Sequence, residues 1–165
     1  QTVAPLYVLA TDFADGEAVV ISGGRIADAV RASVAIPTLF PPWEVDGRLL
    51  VDGAASNPLP VDVAIREGAD VIVAMGFELS YRSRMRSLMA VNSQLNSIYT
   101  NNLLRASFAF HTLAHHHEIV SVLPEFDRPI AAFDTHHIPY IIDEGERAAA
   151  ELMPYLESLL EGGQG

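Results

Sequence analysis

The 165-residue chain has no cysteine, so it has no disulfide framework and no thiolate to act as nucleophile or metal ligand. A reducing compartment, the cytoplasm by default, is the matching expectation. Lysine is also absent: all 10 basic residues are arginine, which excludes Schiff-base and other lysine-dependent chemistry. Against 21 acidic residues they leave a formal charge of −11, a balance that repels polyanions and removes nucleic acid from the expected partners. Long apolar runs are missing too. Arg66, Glu67 and Asp70 interrupt the stretch from Val61 to Met75, and Arg105 interrupts the later one, so no run reaches the ~18 residues of a spanning helix. Any membrane contact is expected to be peripheral. The opening QTVAPLYVLATD has neither the basic start nor the apolar stretch of a secretory signal. Beginning at Gln1 rather than Met, the chain reads as a piece of a longer protein or a processed product.

What is present suits one compact domain over residues 1–165, half of them hydrophobic, with enough apolar mass to bury a core. PLYVLATDF and EAVVIS are β-rich runs joined through Gly16, which predicts a hairpin over residues 5–22. RIADAVRASVAI repeats its apolar positions at helical spacing until Pro37 stops it. PTLFPPWEV reads as a rigid loop because of its three prolines. Asp46-Gly47 predicts a second turn, RLLV a short buried strand, and PVDVAIREG a short helix closed by Gly68. ADVIVAMGF is a continuous apolar run, the pattern of a strand inside a parallel sheet. From Ser83 to Leu113 the spacing predicts one long amphipathic helix, with Asn92, Ser93, Gln94, Asn96, Asn101 and Asn102 on a polar, uncharged outer face. EIVSVLP is a further strand, and DEGERAAAELMPYLESLL a last helix capped by Asp143 and bent at Pro154. The alternation gives an α/β class with a largely parallel sheet.

Few residues here carry chemistry unaided. Asp-Gly occurs at 15–16, 46–47 and 52–53 and is first of all a turn signal. Asp52 differs in position: it follows a strand and precedes a helix, at the strand end where α/β folds place their ligands. The residues alone leave both readings open, turn former or catalytic base. His111 and His115 lie four apart with His116 and Glu118 close by, a spacing compatible with zinc. Imidazoles near a helix C-terminus are favoured by the helix dipole without a metal, so no metal site is expected. His136-His137 takes the same plain reading. SGGRI matches no phosphate-binding loop and reads as a turn feeding a helix. Arg82, Arg84 and Arg86 form the one basic cluster, read as solvent-facing. Gly-x-Ser-x-Gly, the strained elbow that exposes a nucleophilic serine, is absent from these residues.

The order of motifs from LATDF through RASVAIPTLFPP, VDGAA and NPLPV to GADVIVAMG resembles the second half of the patatin-like phospholipase domain. FDTHHIPYIIDEGERAAAELMPYL resembles the end of its bacterial members, and the long middle helix fits least well. The resemblance implies a three-layer α/β/α fold, incomplete here at its N-terminal half. It also implies a Ser-Asp dyad hydrolysing lipid or other carboxylic esters without metal or organic cofactor. The family's serine elbow and oxyanion loop belong upstream of the matched region. Its dyad aspartate maps onto Asp52 of Asp52-Gly53-Ala54, with Gly53 expected to let the backbone turn without a Cβ clash and Asn57 to tie the loop by a side-chain hydrogen bond. Ile36, Leu39, Phe40 and Trp43 are expected either to wall an acyl pocket or to pack into the core. The expected partners are an ester substrate, a membrane surface at its periphery, and either a second copy or the upstream segment. The rival expectation is a non-catalytic domain that keeps the scaffold and binds lipid or a partner chain.

Overall fold

A computed structural model describes residues 2–79, 81, 87–114, 118–128, 130 and 135–162. The elements run β1 (Val8–Asp12), β2 (Ala18–Ile21), α1 (Ile26–Ser33), β3 (Trp43–Val45), β4 (Arg48–Asp52), α2 (Val61–Arg66), β5 (Val71–Met75), α3 (Leu88–Ala114), β6 (Glu118–Val122) and α4 (Ile138–Gly162). The class is α/β, as the alternation of motifs implies. The residues fall into two compact units, Gln1–Pro60 with Asn102–Leu104, and Val61–Asn101 with Arg105–Gly165.

The first unit holds a four-stranded sheet in the order β2-β1-β4-β3. Its three pairings are all antiparallel, which corrects the expected largely parallel sheet for this part of the chain. For β1–β2 and β3–β4 the reason is loop length: Gly16 and Gly47, both at positive φ, close hairpins too short for a crossover. The β3–β4 turn places Asp46 at φ 50 and Gly47 at φ 78, the left-handed pair that a two-residue hairpin needs. β3 also corrects the reading of PTLFPPWEV as loop throughout. Its prolines end at Pro42, and an edge strand beginning at Trp43 loses no ladder bond to them. One face of the sheet meets α1: Ala10, Ala32 and Leu50 form the centre, with Val19, Ile21, Trp43 and Val45 packed around them. Leu50 is 1% exposed, a burial worth about 2 kcal/mol over leaving it in water.

In the second unit β5 and β6 pair in parallel, Val71 opposite Glu118 through Met75 opposite Val122. The 27-residue α3 lies between them in sequence, the crossover that parallel strands require. α2 ends as expected, with Gly68 at φ +87 and its N–H donating to the Ile65 carbonyl. Two helix expectations change. Asp143 lies inside α4, which begins at Ile138 with Pro139 in its first turn, where proline's fixed φ suits a helix start. The face of α3 expected to point outward does not do so uniformly, because Asn101 is fully buried while Leu88, Met89, Leu95, Tyr99 and Phe110 are exposed.

Candidate functional site

Asp52 is the last residue of β4, half-buried, beside Ala10 of β1 in the sheet register. It caps a single 3₁₀ turn, Gly53–Ala55, by accepting the Ala54 N–H on Oδ1 at 2.8 Å. Its main chain is held on both sides. The Asp52 N–H donates to the Ala35 carbonyl at 3.0 Å, and the Asp52 carbonyl accepts the Thr11 hydroxyl at 2.8 Å. Burial pushes the carboxyl above the ordinary aspartate range, against the Ala54 N–H, which pulls it down. Such an aspartate is a stronger base than one in water.

Gly53 is required for space rather than for an unusual φ. A Cβ there would stand 2.5 Å from the Leu9 carbonyl oxygen and 2.9 Å from its carbon, so β1 and the turn approach closely only because this residue has no side chain. Ala54 supplies the N–H on Asp52. Asn57 closes the turn through its backbone, its N–H donating to the Gly53 carbonyl at 2.9 Å. The four residues singled out from the sequence thus lie together in one tight turn.

Two hydroxyls, those of Thr11 and Ser56, stand beside it. Thr11 is 4% exposed, and its Oγ1 lies 2.7 Å from Ser56 Oγ. A threonine in a strand looks like any other β-branched strand residue, so only the pairing of β1 with β4 gives it away. At the end of β1, Asp12 binds Arg48 Nε at 2.6 Å and accepts the Ala14 N–H at 2.8 Å. These bonds, the Ala14 N–H first, hold its carboxyl below the ordinary range. The two strand-end aspartates are therefore shifted in opposite directions, Asp12 down by its hydrogen-bond partners and Asp52 up by burial.

The apolar loop after α1 divides. Trp43 packs against the core with the Arg31 guanidinium 3.8 Å above its ring, and Ile36 is half-buried. Leu39 and Phe40 are exposed beside Thr38 at φ 72, a strained conformation for a β-branched residue. A cavity of about 490 Å³ opens in the first unit, lined by residues including Leu6, Val8, Ile21, Gly24 and Ile26. Neither Asp52 nor the loop residues Ile36, Leu39, Phe40 and Trp43 line it. SGGRI forms the expected turn into α1, with Gly24 at φ +85. His111 is buried in α3, whereas His115, His116 and the arginines at 82, 84 and 86 lie outside the described residues. His136 and His137 stand on a short 3₁₀ turn, Thr135–His137. Among the described residues no group of three His, Cys, Asp or Glu could hold a metal ion, and no helix is long and apolar enough to cross a membrane.

These features define a mixed α/β protein whose candidate site is a strand-end aspartate with one oxygen tied to its own turn. Comparison with known proteins gives the family. Residues 2–65 match the patatin-like phospholipase family. An uncharacterized NTE family protein of Mycobacterium tuberculosis is 33% identical over 109 residues, 66% of this chain and 29% of that protein. Patatin-like phospholipase domain-containing protein 7 of Rattus norvegicus is 37% identical over 73 residues, 43% of this chain and 5% of that protein. The chain belongs to the patatin-like phospholipase family. It spans less than a third of the length of the mycobacterial relatives, 29% of each.

Proposed function

We propose that this chain carries the base of a lipid acyl hydrolase, Asp52, and acts with a serine held in a Gly-x-Ser-x-Gly elbow outside these 165 residues. The observation that supports this most is the state of the Asp52 carboxyl. Oδ1 is fixed by the Ala54 N–H, Oδ2 has no hydrogen-bond partner among the described residues, and burial raises proton affinity. One oxygen orients the group and the other is available to a hydroxyl.

In the proposed reaction the serine oxygen attacks the ester carbonyl while Asp52 Oδ2 takes its proton, over a hydrogen bond of roughly 2.6–3.2 Å. The same proton passes to the departing alcohol. Water then attacks the acyl-serine, giving a proton to Asp52 that returns to the serine as the acid leaves. The rate depends on fixed proximity and on donors for the oxyanion, and these belong with the serine. The chain alone is accordingly inactive, because a carboxylate without nucleophile or oxyanion hole falls to near background.

Joining the chain to an upstream segment with Gly-x-Ser-x-Gly should produce hydrolysis of p-nitrophenyl butyrate, and Asp52→Ala should abolish it. Turnover that survives Asp52→Ala would reject the assignment. The exposed apolar side chains of Leu39 and Phe40 favour a second reading, a non-catalytic domain that binds lipid or a partner chain. That reading predicts vesicle or partner binding by the joined protein with no ester turnover.

A further inference from the structure

Thr11 carries one hydroxyl proton, and the Asp52 carbonyl 2.8 Å away can only accept. The Thr11 proton is therefore committed to Asp52. The 2.7 Å contact between Thr11 Oγ1 and Ser56 Oγ must then run the other way, with Ser56 donating. The alternative acceptor for Ser56, the Gly53 carbonyl, is at 3.5 Å. The result is a directed chain, Ser56 hydroxyl to Thr11 hydroxyl to Asp52 carbonyl. It ties β1 to both ends of the turn that follows β4.

The chain of bonds grips Asp52 from behind. Alternation along the paired strands puts the Asp52 side chain on the face of Ala10, opposite which it lies in register, and Thr11 on the other face. With the N–H on Ala35 and Oδ1 on Ala54, the Thr11 bond leaves Oδ2 as the one polar atom of Asp52 not held among the described residues. A carbonyl fixed at this point sets the plane of the Asp52–Gly53 peptide. That plane in turn sets where the Ala54 N–H points, and so the carboxylate. We propose that Thr11 and Ser56 are positioning residues for Asp52, acting through its main chain and never on substrate. This rests on the reading of Asp52 as the base.

The test uses the joined protein with p-nitrophenyl butyrate. Thr11→Val keeps shape and deletes the hydroxyl. It should lower kcat by about 10- to 100-fold, the scale of a catalytic group displaced by up to ~1 Å, with KM little changed. Thr11→Ser, which keeps the hydroxyl, should restore kcat. Ser56→Ala, a milder change on a half-buried residue, should lower kcat in the same direction by less. In the 165-residue chain, Thr11→Val should speed hydrogen exchange at the Ala54 amide and Thr11→Ser should not. A kcat within twofold of the parent for both Thr11→Val and Ser56→Ala, in a protein that Asp52→Ala inactivates, overturns the positioning role and leaves the base assignment standing. Activity that survives Asp52→Ala overturns both. A Thr11→Val defect that Thr11→Ser does not relieve also overturns it, because general loss of packing would then be the cause.

Discussion

Asp12 and Asp52 end neighbouring strands and carry the same side chain, yet their surroundings shift them in opposite directions. The lowered Asp12 contributes stability that is present above the unfolded value near 3.9 and is lost as pH falls through its folded value. Arg48→Met, which removes its ion-pair partner, should therefore flatten the acid side of a plot of urea midpoint against pH. For the raised Asp52 the sign reverses: its contribution is full below the unfolded value and lost as pH rises through the folded one. Asp52→Asn should make the folded chain more stable than the parent at pH 7, with the difference closing at pH 3. Such a cost fits the proposed role of Asp52 as the base. Gly53→Ala forces a methyl group to within 2.5 Å of a backbone oxygen and should lower stability by about 1–3 kcal/mol, read as a drop in urea midpoint. The sequence marks Asp52 because its position after LLV is visible in one dimension. The Thr11 and Ser56 hydroxyls are not marked, because they lie 45 residues apart and meet only through the pairing of β1 with β4.

At the scale of elements, α3 shows how a correct helix can be oriented wrongly. The asparagines along it look like a solvated face, but Asn101 is 0% exposed. Its amide pairs with both backbone groups of Leu79, accepting the N–H at 2.8 Å and donating to the carbonyl at 2.9 Å. A buried amide that satisfies a peptide in this way replaces a strand neighbour for the segment after β5. Asn101→Ala leaves two backbone groups unpaired at about 1–3 kcal/mol each, and the Leu79 amide should lose its exchange protection. One turn further on, Arg105 forms a bidentate pair with Glu78 at 2.6 and 2.7 Å, but both are about half exposed. Arg105→Ala should cost at most about 1 kcal/mol. Periodicity locates such a helix, and hydropathy then assigns its faces. The second step fails where polar side chains are buried against backbone. The order of β3 and β4 was hidden for a related reason, since three prolines mask a strand that begins just after them.

For the whole molecule, the family was legible from the order of motifs and the β1–β2 hairpin from its Gly16 turn, whereas the antiparallel pairing of β1 with β4 was not, because alternating strands and helices say nothing about which distant strands meet. The chain also combines a formal charge of −11 with large exposed apolar side chains, among them Leu88 at 88%, Met89 at 68% and Met75 at 63%. Apolar surface of this kind favours association, and like charge opposes it over about 10 Å at 0.1 M salt. The isolated chain should therefore self-associate at micromolar concentration and do so more strongly at 1 M NaCl. Sedimentation velocity showing a monomer at both salt concentrations would contradict this. Asp52, whose half-buried carboxyl is raised by burial, is proposed to take a proton from a serine outside these residues. The most direct measurement is kcat of the joined protein and its Asp52→Asn variant on p-nitrophenyl butyrate. A fall of about 10²–10⁴-fold, with the fold intact by circular dichroism, is the predicted result, and an unchanged kcat would contradict the account.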